Sequence, residues 1–281
     1  MTVRVVQITD THLSPTKPVF ESNFDIVAEH VRASRPDVVI QTGDISMDGA
    51  DSEDDLAHAV RRHGEIGIET HVLAGNHDVG DDPDIARRQP AHAERVSRWT
   101  RLVGPSHWSI DVPGWRLLGI DALILGTGED VALAQDEAIR AEASSRDGRS
   151  LALFMHKPLC DEALDESLTQ SRFLTPARRA HLLGLLGDDR PALVACGHVH
   201  QYRDGMIGGM RHVWAPAVSF MISDPWQPVF GAKTVGYLEH RFHADGTHDH
   251  RLVPVRGLAH HDLLLVPEAY GDIRKWGIGG A

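Results

Sequence analysis

The chain has two cysteines, no long apolar run and a deficit of positive charge. Cys160 and Cys196 are too few for a disulfide scaffold, so a reducing compartment, the cytoplasm, is the expectation. Nothing approaches the ~18 consecutive apolar residues of a membrane span. The opening MTVRVVQITDTHL breaks its apolar run at Gln7 and lacks the long h-region of a signal peptide, so no membrane partner is expected. Lys and Arg number 28 against 40 Asp and Glu, a formal net charge of −12 that argues against a duplex-nucleic-acid binder. A small anionic substrate is still allowed, because a bound cation reverses the local field. Aromatics are sparse at 6%, whereas histidine is abundant at 19 residues. Histidine is both the commonest metal ligand and a frequent surface residue, so position matters more than the count.

With 281 residues, 42% hydrophobic and 24% charged, the chain can bury a large α/β core, and its composition sets aside disordered and fibrous classes. Short β-branched runs alternate with amphipathic stretches. Residues 3–9 predict a strand and 20–34 a helix with Phe24, Val27 and Val31 at helical spacing. Pro36 stops that helix before a strand over 37–42. A helix over 52–64, a strand over 70–74 and a helix over 84–102 follow, then a hairpin over 107–121 turning at Pro113-Gly114. A helix over 133–144 leads to a strand over 151–155, and one over 176–186 to a strand over 192–195. Beyond Gly205 the pattern turns to antiparallel strands over 210–214, 233–242 and 250–254, with 244–246 as a turn.

Such βαβ units followed by meandering strands predict an α/β fold, a four-layer α-β-β-α sandwich of two mixed sheets flanked by helices. No repeat or low-complexity linker divides the chain. Residues 1–281 are therefore expected to form a single domain, with 205–281 completing the second sheet and adding a C-terminal extension. Residues 277–281 read as a frayed tail.

The informative polar residues stand where the strands end. Asp10 and His12 follow the first in TDTHL, and a separation of two puts both on one side of extended backbone. Asp44 follows the second strand in QTGD, and Asn76, His77 and Asp78 follow the third in AGNHD. His156 follows the strand over 151–155, and His198 and His200 follow 192–195 in CGHVH. In open α/β sheets ligands bind at the carboxyl ends of strands, so these groups can converge on one crevice. Each motif alone has a plain explanation. D-x-H and H-x-H arise by chance, His156 before Lys157-Pro158 suits a solvated loop, and Gly43, Gly75 and Gly197 suit turns. Five apolar strands, each followed by a ligand type, do not.

In this order, Asp10-Thr11-His12, Gly43-Asp44, Gly75-Asn76-His77-Asp78, His156 and Gly197-His198-Val199-His200 resemble the signature of the calcineurin-like metallophosphoesterase superfamily. The motifs span residues 10–200, and QITDTHLS with CGHVHQ looks most like the class III cyclic-nucleotide phosphodiesterase branch. The resemblance implies two metals. Asp10, His12, Asp44 and His200 would hold the first, and Asp44, Asn76, His156 and His198 the second, with Asp44 bridging. Carboxylate, amide and imidazole donors without thiolate suit divalent or mixed-valence transition-metal ions: Mn, Fe, Zn or Co. Such a pair can acidify a bridging water and clamp the attacking and leaving oxygens. His77 and Asp78 are then the expected catalytic residues, His77 protonating the leaving alkoxide and Asp78 orienting that imidazole.

The expected activity is phosphodiester cleavage in small molecules, cyclic nucleotides or glycerophosphodiesters, by attack of a metal-bridging hydroxide. A homo-oligomer is compatible with this. Serine/threonine phosphatases of the superfamily carry G-D-x-x-D-R-G, whereas Gly43-Asp44-Ile45-Ser46-Met47-Asp48-Gly49 lacks the Arg that would clamp a dianionic monoester. That tilts the expectation to diesters. The alternatives are a broad phosphomonoesterase on the same site and a non-catalytic scaffold on the same fold, the latter disfavoured by the full donor set. His240, His243, His248 and His250 are read as a solvated hairpin edge. Trp108, Trp115, Trp214 and Trp226 are read as packing, and Cys196 as a buried thiol. Substrate contacts are sought in 161–173 and 221–230.

Overall fold

The structure, a computed structural model, describes residues 1–86 and 88–276. Its first strands, β1 (Thr2–Ile8), β2 (Val38–Thr42) and β3 (Thr70–Leu73), lie parallel. Helices α1 (Glu21–Ser34) and α2 (Glu53–Gly64) connect them, and the single turn α3 (Asn76–Val79) follows β3. On α1, Phe24, Val27, Ala28 and Val31 make an i, i+3, i+4, i+7 stripe that shares a core with Val6, Ile8 and Val39. Arg35 ends the helix in left-handed backbone with its N–H on the Val31 carbonyl, and Pro36 cannot continue it. Ser52 caps α2 by accepting the Asp55 N–H at 3.2 Å, and acidic first-turn and basic last-turn residues suit the helix dipole.

The second half begins with α4 (Ala93–Leu102) and the hairpin β4 (Trp108–Val112) and β5 (Trp115–Gly119). Next come α5 (Asp130–Ser144), β6 (Ser150–Phe154), α6 (Pro176–Leu186) and β7 (Leu193–Cys196). An antiparallel pair, β8 (Arg203–Ile207) and β9 (Met210–Trp214), follows. The chain then runs through β10 (Phe220–Met221), β11 (Tyr237–His243), β12 (His248–Val253), β13 (His261–Asp262) and α7 (Pro267–Tyr270). One sheet has the order β12-β11-β1-β2-β3 and the other β4-β5-β6-β7-β9-β8, while β10 and β13 pair separately. Both large sheets are mixed: the first is antiparallel from β12 to β1 and parallel from β1 to β3, and the second has a parallel centre with an antiparallel pair at each edge.

Strand alternation sets the layers. Val5, Val38, Ile40, Leu238 and Phe242 of one sheet meet Trp115, Leu117, Phe154, Leu193 and Val213 of the other in one buried cluster. The alternate residues Val6, Ile8, Val39, Leu118, Leu151 and Leu153 share a core with helical side chains such as Ile139 and Leu182. The result is the four-layer α-β-β-α sandwich. Each large side chain buried in it contributes about 1.5–3 kcal/mol, so the strand ends are held by the core on both faces.

Three expectations change. The helix anticipated over 84–102 starts only at Ala93. Pro90 interrupts it, and Asp81 bonds through its N–H to the Gln89 carbonyl and through its carbonyl to the Ala91 N–H. Segment 205–281 does not complete the second sheet alone: β9 joins that sheet, but β11 crosses to the first and pairs antiparallel with β1. The hairpin histidines are no solvated edge. His240 has the strand parity of Leu238 and Phe242, is fully buried between the sheets, and meets Gln7 Oε1 at 2.9 Å and His248 Nε2 at 3.0 Å. Only His243 faces outward, bonded to Asp249. Residues 277–281, expected as a tail, lie outside the described residues. Among the described residues no helix is long and apolar enough to cross a membrane.

Candidate metal centre

The seven expected donors meet beyond the carboxyl ends of β1, β2, β3, β6 and β7, in two groups that share a member. Donor atoms of Asp10, His12 and His200 lie within 4.8 Å of one another, as do those of Asp44, His156 and His198. Asn76 joins the second group, its Oδ1 3.2 Å from His156 Nε2. Asp44 Oδ2 is 3.3 Å from His156 Nε2 and 3.7 Å from His12 Nε2, so one carboxylate faces both groups. The turns that achieve this are tight. Asp10, His12, Asp44, His198 and His200 all adopt left-handed backbone, with φ between 48° and 69°. Such strain costs about 1–3 kcal/mol per residue and clusters at functional sites. A Cβ on Gly43, itself at φ 98°, would fall 2.5 Å from His156 Nδ1, and one on Gly75 would overlap the Asp44 carboxylate. These glycines serve close approach as well as the turn.

The imidazoles are oriented to serve a cation. His156 Nδ1 donates to the Thr42 carbonyl at 2.7 Å, His200 Nδ1 to Phe220 O at 2.8 Å and His198 Nε2 to Ser171 O at 3.1 Å. Each ring therefore turns its other nitrogen inward, the one a metal would bind, in the arrangement that fixes a metal-ligating tautomer. There His12 Nε2 and His200 Nε2 stand 3.4 Å apart, and His156 Nε2 and His198 Nδ1 3.1 Å apart. Two bare nitrogens at such distances would repel, so each pair needs a proton or a metal cation between its members. Asp10 Oδ1, buried 3.2 Å from His200 Nε2 and without a hydrogen bond among the described residues, points to the same need. The donor set fits transition-metal ions, being nitrogen and oxygen without sulfur.

Burial opposes charge on all these groups, yet Asp44 holds His156 up at about 9. Against the same burial, His156 and His77 hold Asp44 well below the usual carboxylate range. His12 and His198 go the other way, pushed well down by burial first and by neighbouring imidazoles second.

The donors floor a cavity of about 750 Å³. His77 and Tyr270 form part of its wall, and the folded-back loop contributes Asp81, Ile85, Ala86, Arg88 and Gln89. Phe220, Ile222 and Leu263 add an apolar side. The loop is fastened by the almost wholly buried Lys157, which pairs with Asp81. His77 Nδ1 donates to the Met47 carbonyl at 2.9 Å, which leaves Nε2 as the ring nitrogen free to act in the cavity. Arg172 also lines it; the residue is 8% exposed, its guanidinium lies 6.0 Å from the Phe230 ring centre, Nε and Nη2 have no hydrogen-bond partner among the described residues, and burial lowers its pKa.

The family model for calcineurin-like phosphoesterases matches residues 3–202. The chain belongs to the calcineurin-like phosphoesterase family. The 3',5'-cyclic adenosine monophosphate phosphodiesterase CpdA of Escherichia coli strain K12 is 27% identical over 280 residues, covering 90% of this chain and 91% of that one. A protein of Arcobacter nitrofigilis named "Probable glycerophosphodiester phosphodiesterase GpdQ" is 25% identical over 213 residues, 70% of this chain and 71% of its own length. Among solved structures, the purple acid phosphatase PPD1 of yellow lupin (Lupinus luteus) superposes with a TM-score of 0.63 at 15% identity, covering 93% of this chain and 53% of that one. This last likeness is one of fold.

In this phosphoesterase one expected role changes. Asp78 does not orient His77. Its carboxylate accepts the N–H groups of Gly75, Ile45 and Ser46 at 2.9, 3.2 and 3.0 Å and the Ser46 hydroxyl at 2.5 Å. Consecutive residues of a helical turn point roughly 100° apart, so Asp78 aims into the turn after β2 while His77 aims at the cavity. Burial and the charge of Asp44 push Asp78 up to about 6. The segments searched for substrate contacts do reach the cavity, through Ser171 and Arg172 and through Ile222 and Gln227. Lys157 and Tyr270 escape sequence reasoning. Lys157 had a signal, being adjacent to His156, and Tyr270 had none.

Proposed function

We propose that this phosphoesterase is a dinuclear, metal-dependent phosphodiesterase for small molecules of the cyclic-nucleotide or glycerophosphodiester type. The observation that carries the reading is the pair of donor groups sharing Asp44 on the floor of one cavity, with His77 beside them. Asp10, His12, Asp44 and His200 would hold one ion and Asp44, Asn76, His156 and His198 the other, from Mn, Fe, Zn or Co. Bound there, the ions would supply Lewis acidity toward phosphoryl oxygens and a water acidic enough to attack near neutral pH.

The chain's own residues do the rest. In its imidazolium form His77 delivers the Nε2 proton to the departing alkoxide and keeps the other on Nδ1, where the Met47 carbonyl accepts it. The backbone N–H of His77, 2.8 Å from Asp44 Oδ1, holds the shared carboxylate in place. Asp78 pins the turn at Ile45 and Ser46. Arg172 meets the anionic oxygens of the substrate, since a desolvated guanidinium without a partner is costly and an anion in the cavity it lines offsets that cost. Ile85, Phe220, Ile222 and Leu263 receive the organic part of the ester. The names of CpdA and GpdQ support a diester substrate.

Arg172 also favours a second reading, a broad phosphomonoesterase, because it restores a guanidinium that residues 43–49 lack. We take residues 1–281 as one domain, since β11 closes on β1 and Tyr270 reaches His12. We place it in a reducing cytoplasm, in keeping with its two buried, unbonded cysteines. The deciding experiment reconstitutes the protein with Mn, Zn, Fe or Co and measures bound metal. It then sets kcat/KM on bis(p-nitrophenyl) phosphate, cyclic AMP and a glycerophosphodiester against p-nitrophenyl phosphate. Two ions per chain and higher values on diesters are expected. Failure to bind two ions defeats the dinuclear reading, and preference for the monoester moves the assignment to the second one.

A further inference from the structure

Tyr270 ends α7, in a segment outside the residues matched by the family model. Its hydroxyl lies 2.6 Å from His12 Nδ1 and 3.2 Å from the Met47 carbonyl oxygen. A phenol has one proton to donate, and the carbonyl can only accept. With the Tyr270 proton on Met47, the hydroxyl can only accept from His12, which is the sense that a His12 ligating through Nε2 requires. His12 must then carry its proton on Nδ1, which leaves Nε2 bare and directed at the donor group, 3.4 Å from His200 Nε2 and 3.7 Å from Asp44 Oδ2. The same Met47 carbonyl receives the Nδ1 proton of His77 at 2.9 Å. One backbone oxygen thus sets the hydrogen-bond sense on both sides of the site.

His156, His198 and His200 each use a backbone carbonyl for this purpose, whereas His12 uses a side chain. The side chain is held firmly. α7 packs through Ala269 into a buried cluster with Phe20, Met47, Phe220 and Leu263, and Lys17 Nζ donates to the Ala269 carbonyl at 3.0 Å. We infer that Tyr270 is a positioning residue for the metal group of Asp10, His12 and His200, fixing the tautomer and ring orientation of His12 from the C-terminal segment. The inference rests on the dinuclear reading above.

Tyr270→Phe keeps the ring and its packing and deletes only the hydroxyl. The metal-free protein, wild type and variant, is titrated with Mn²⁺ and the two ions are resolved by calorimetry. Loss of such an outer partner typically weakens metal binding by about 10–100-fold. That loss is expected for one of the two ions, with the other unchanged and with the melting temperature of the metal-free protein unchanged. Activity lost in the variant should return at high Mn²⁺. In the metal-free wild type, long-range ¹H–¹⁵N spectra should place the His12 proton on Nδ1, and Tyr270→Phe should abolish that preference. A variant that binds both ions as tightly as wild type, or loses both equally, overturns the inference, as does a His12 tautomer indifferent to the hydroxyl. A wild type that binds fewer than two ions overturns the dinuclear reading itself, and this inference with it.

Discussion

His77→Asn removes the proposed general acid while sparing its surroundings. The backbone N–H of residue 77 still reaches Asp44 Oδ1 at 2.8 Å, and the Met47 carbonyl retains the Tyr270 hydroxyl at 3.2 Å. The donor groups and the turn after β2 are therefore expected to survive, and only the proton at Nε2 is lost. A positioned general acid is typically worth about 10²–10⁴-fold, which is roughly 2.7–5.4 kcal/mol of transition-state stabilisation. The full effect is felt only when the departing oxygen gathers charge that it cannot stabilise, as in a ribose or glycerol alkoxide. A p-nitrophenolate spreads that charge over its ring and leaves without help. The assay compares kcat/KM of wild type and variant on cyclic AMP and on bis(p-nitrophenyl) phosphate, with bound metal measured in both proteins. Two retained metals, a large loss on the alkyl diester and a small one on the aryl diester are expected. Equal losses, with the chemical step limiting on both substrates, would remove the proton-donor role and leave His77 as an electrostatic group. Loss of metal would instead make it a ligand, an outcome with geometry behind it because a ring nitrogen of His77 lies within 4.8 Å of donors on His12 and Asp44.

Asp44→Ala should empty both metal positions together, because its carboxylate faces both donor groups; elemental analysis showing one ion retained at full occupancy would refute the sharing. Arg172→Met should raise KM for phosphoesters by about 10–100-fold, the value of a charge-assisted hydrogen bond, with Arg172→Lys only partly restoring it. An unchanged KM would mean that the guanidinium does not meet the substrate. His212 is almost wholly buried on β9 with neither ring nitrogen partnered, and burial, helped by Arg203, lowers its pKa to about 4. Below its ordinary value the unfolded chain binds a proton that the folded one refuses, so the stability present at neutral pH is lost as pH falls. His212→Leu should therefore flatten the pH dependence of unfolding by about 1.4 kcal/mol between about pH 7.5 and about pH 5.5, and a slope equal to wild type in denaturant titrations would contradict this.

The donor set is readable from sequence for two separate reasons. Metal chemistry restricts the residue types, and short apolar runs locate the strand ends at which they stand, as in VVIQT before Gly43-Asp44. Strand centres are equally plain, and most observed strand bounds differ by a residue or two where ends fray, whereas the strand expected over 233–242 begins only at Tyr237. Signals that depend on a distant partner are absent. His240 reads as a polar hairpin residue until β11 pairs with β1, and only then does its parity with Leu238 and Phe242 carry it inside to Gln7. The loop that walls the cavity reads as the start of a helix despite Pro90, whereas its fastening to Lys157 comes from the chain beyond β6.

By itself, the sequence determines which candidate donors stand at the strand ends and in what order the strands deliver them, since both are properties of residue type and local period. It does not determine which nitrogen of each imidazole faces inward. That choice belongs to the carbonyls of Thr42, Ser171 and Phe220 and to the hydroxyl of Tyr270, which reach their rings only after the sheets and the C-terminal segment have packed. Nor does it place Arg172, a lone cation with no motif around it, against the cavity. A hydrogen-bond acceptor or an unpaired charge has no period along the chain. Its effect is set by what lies within about 3 Å, and only the tertiary structure decides that.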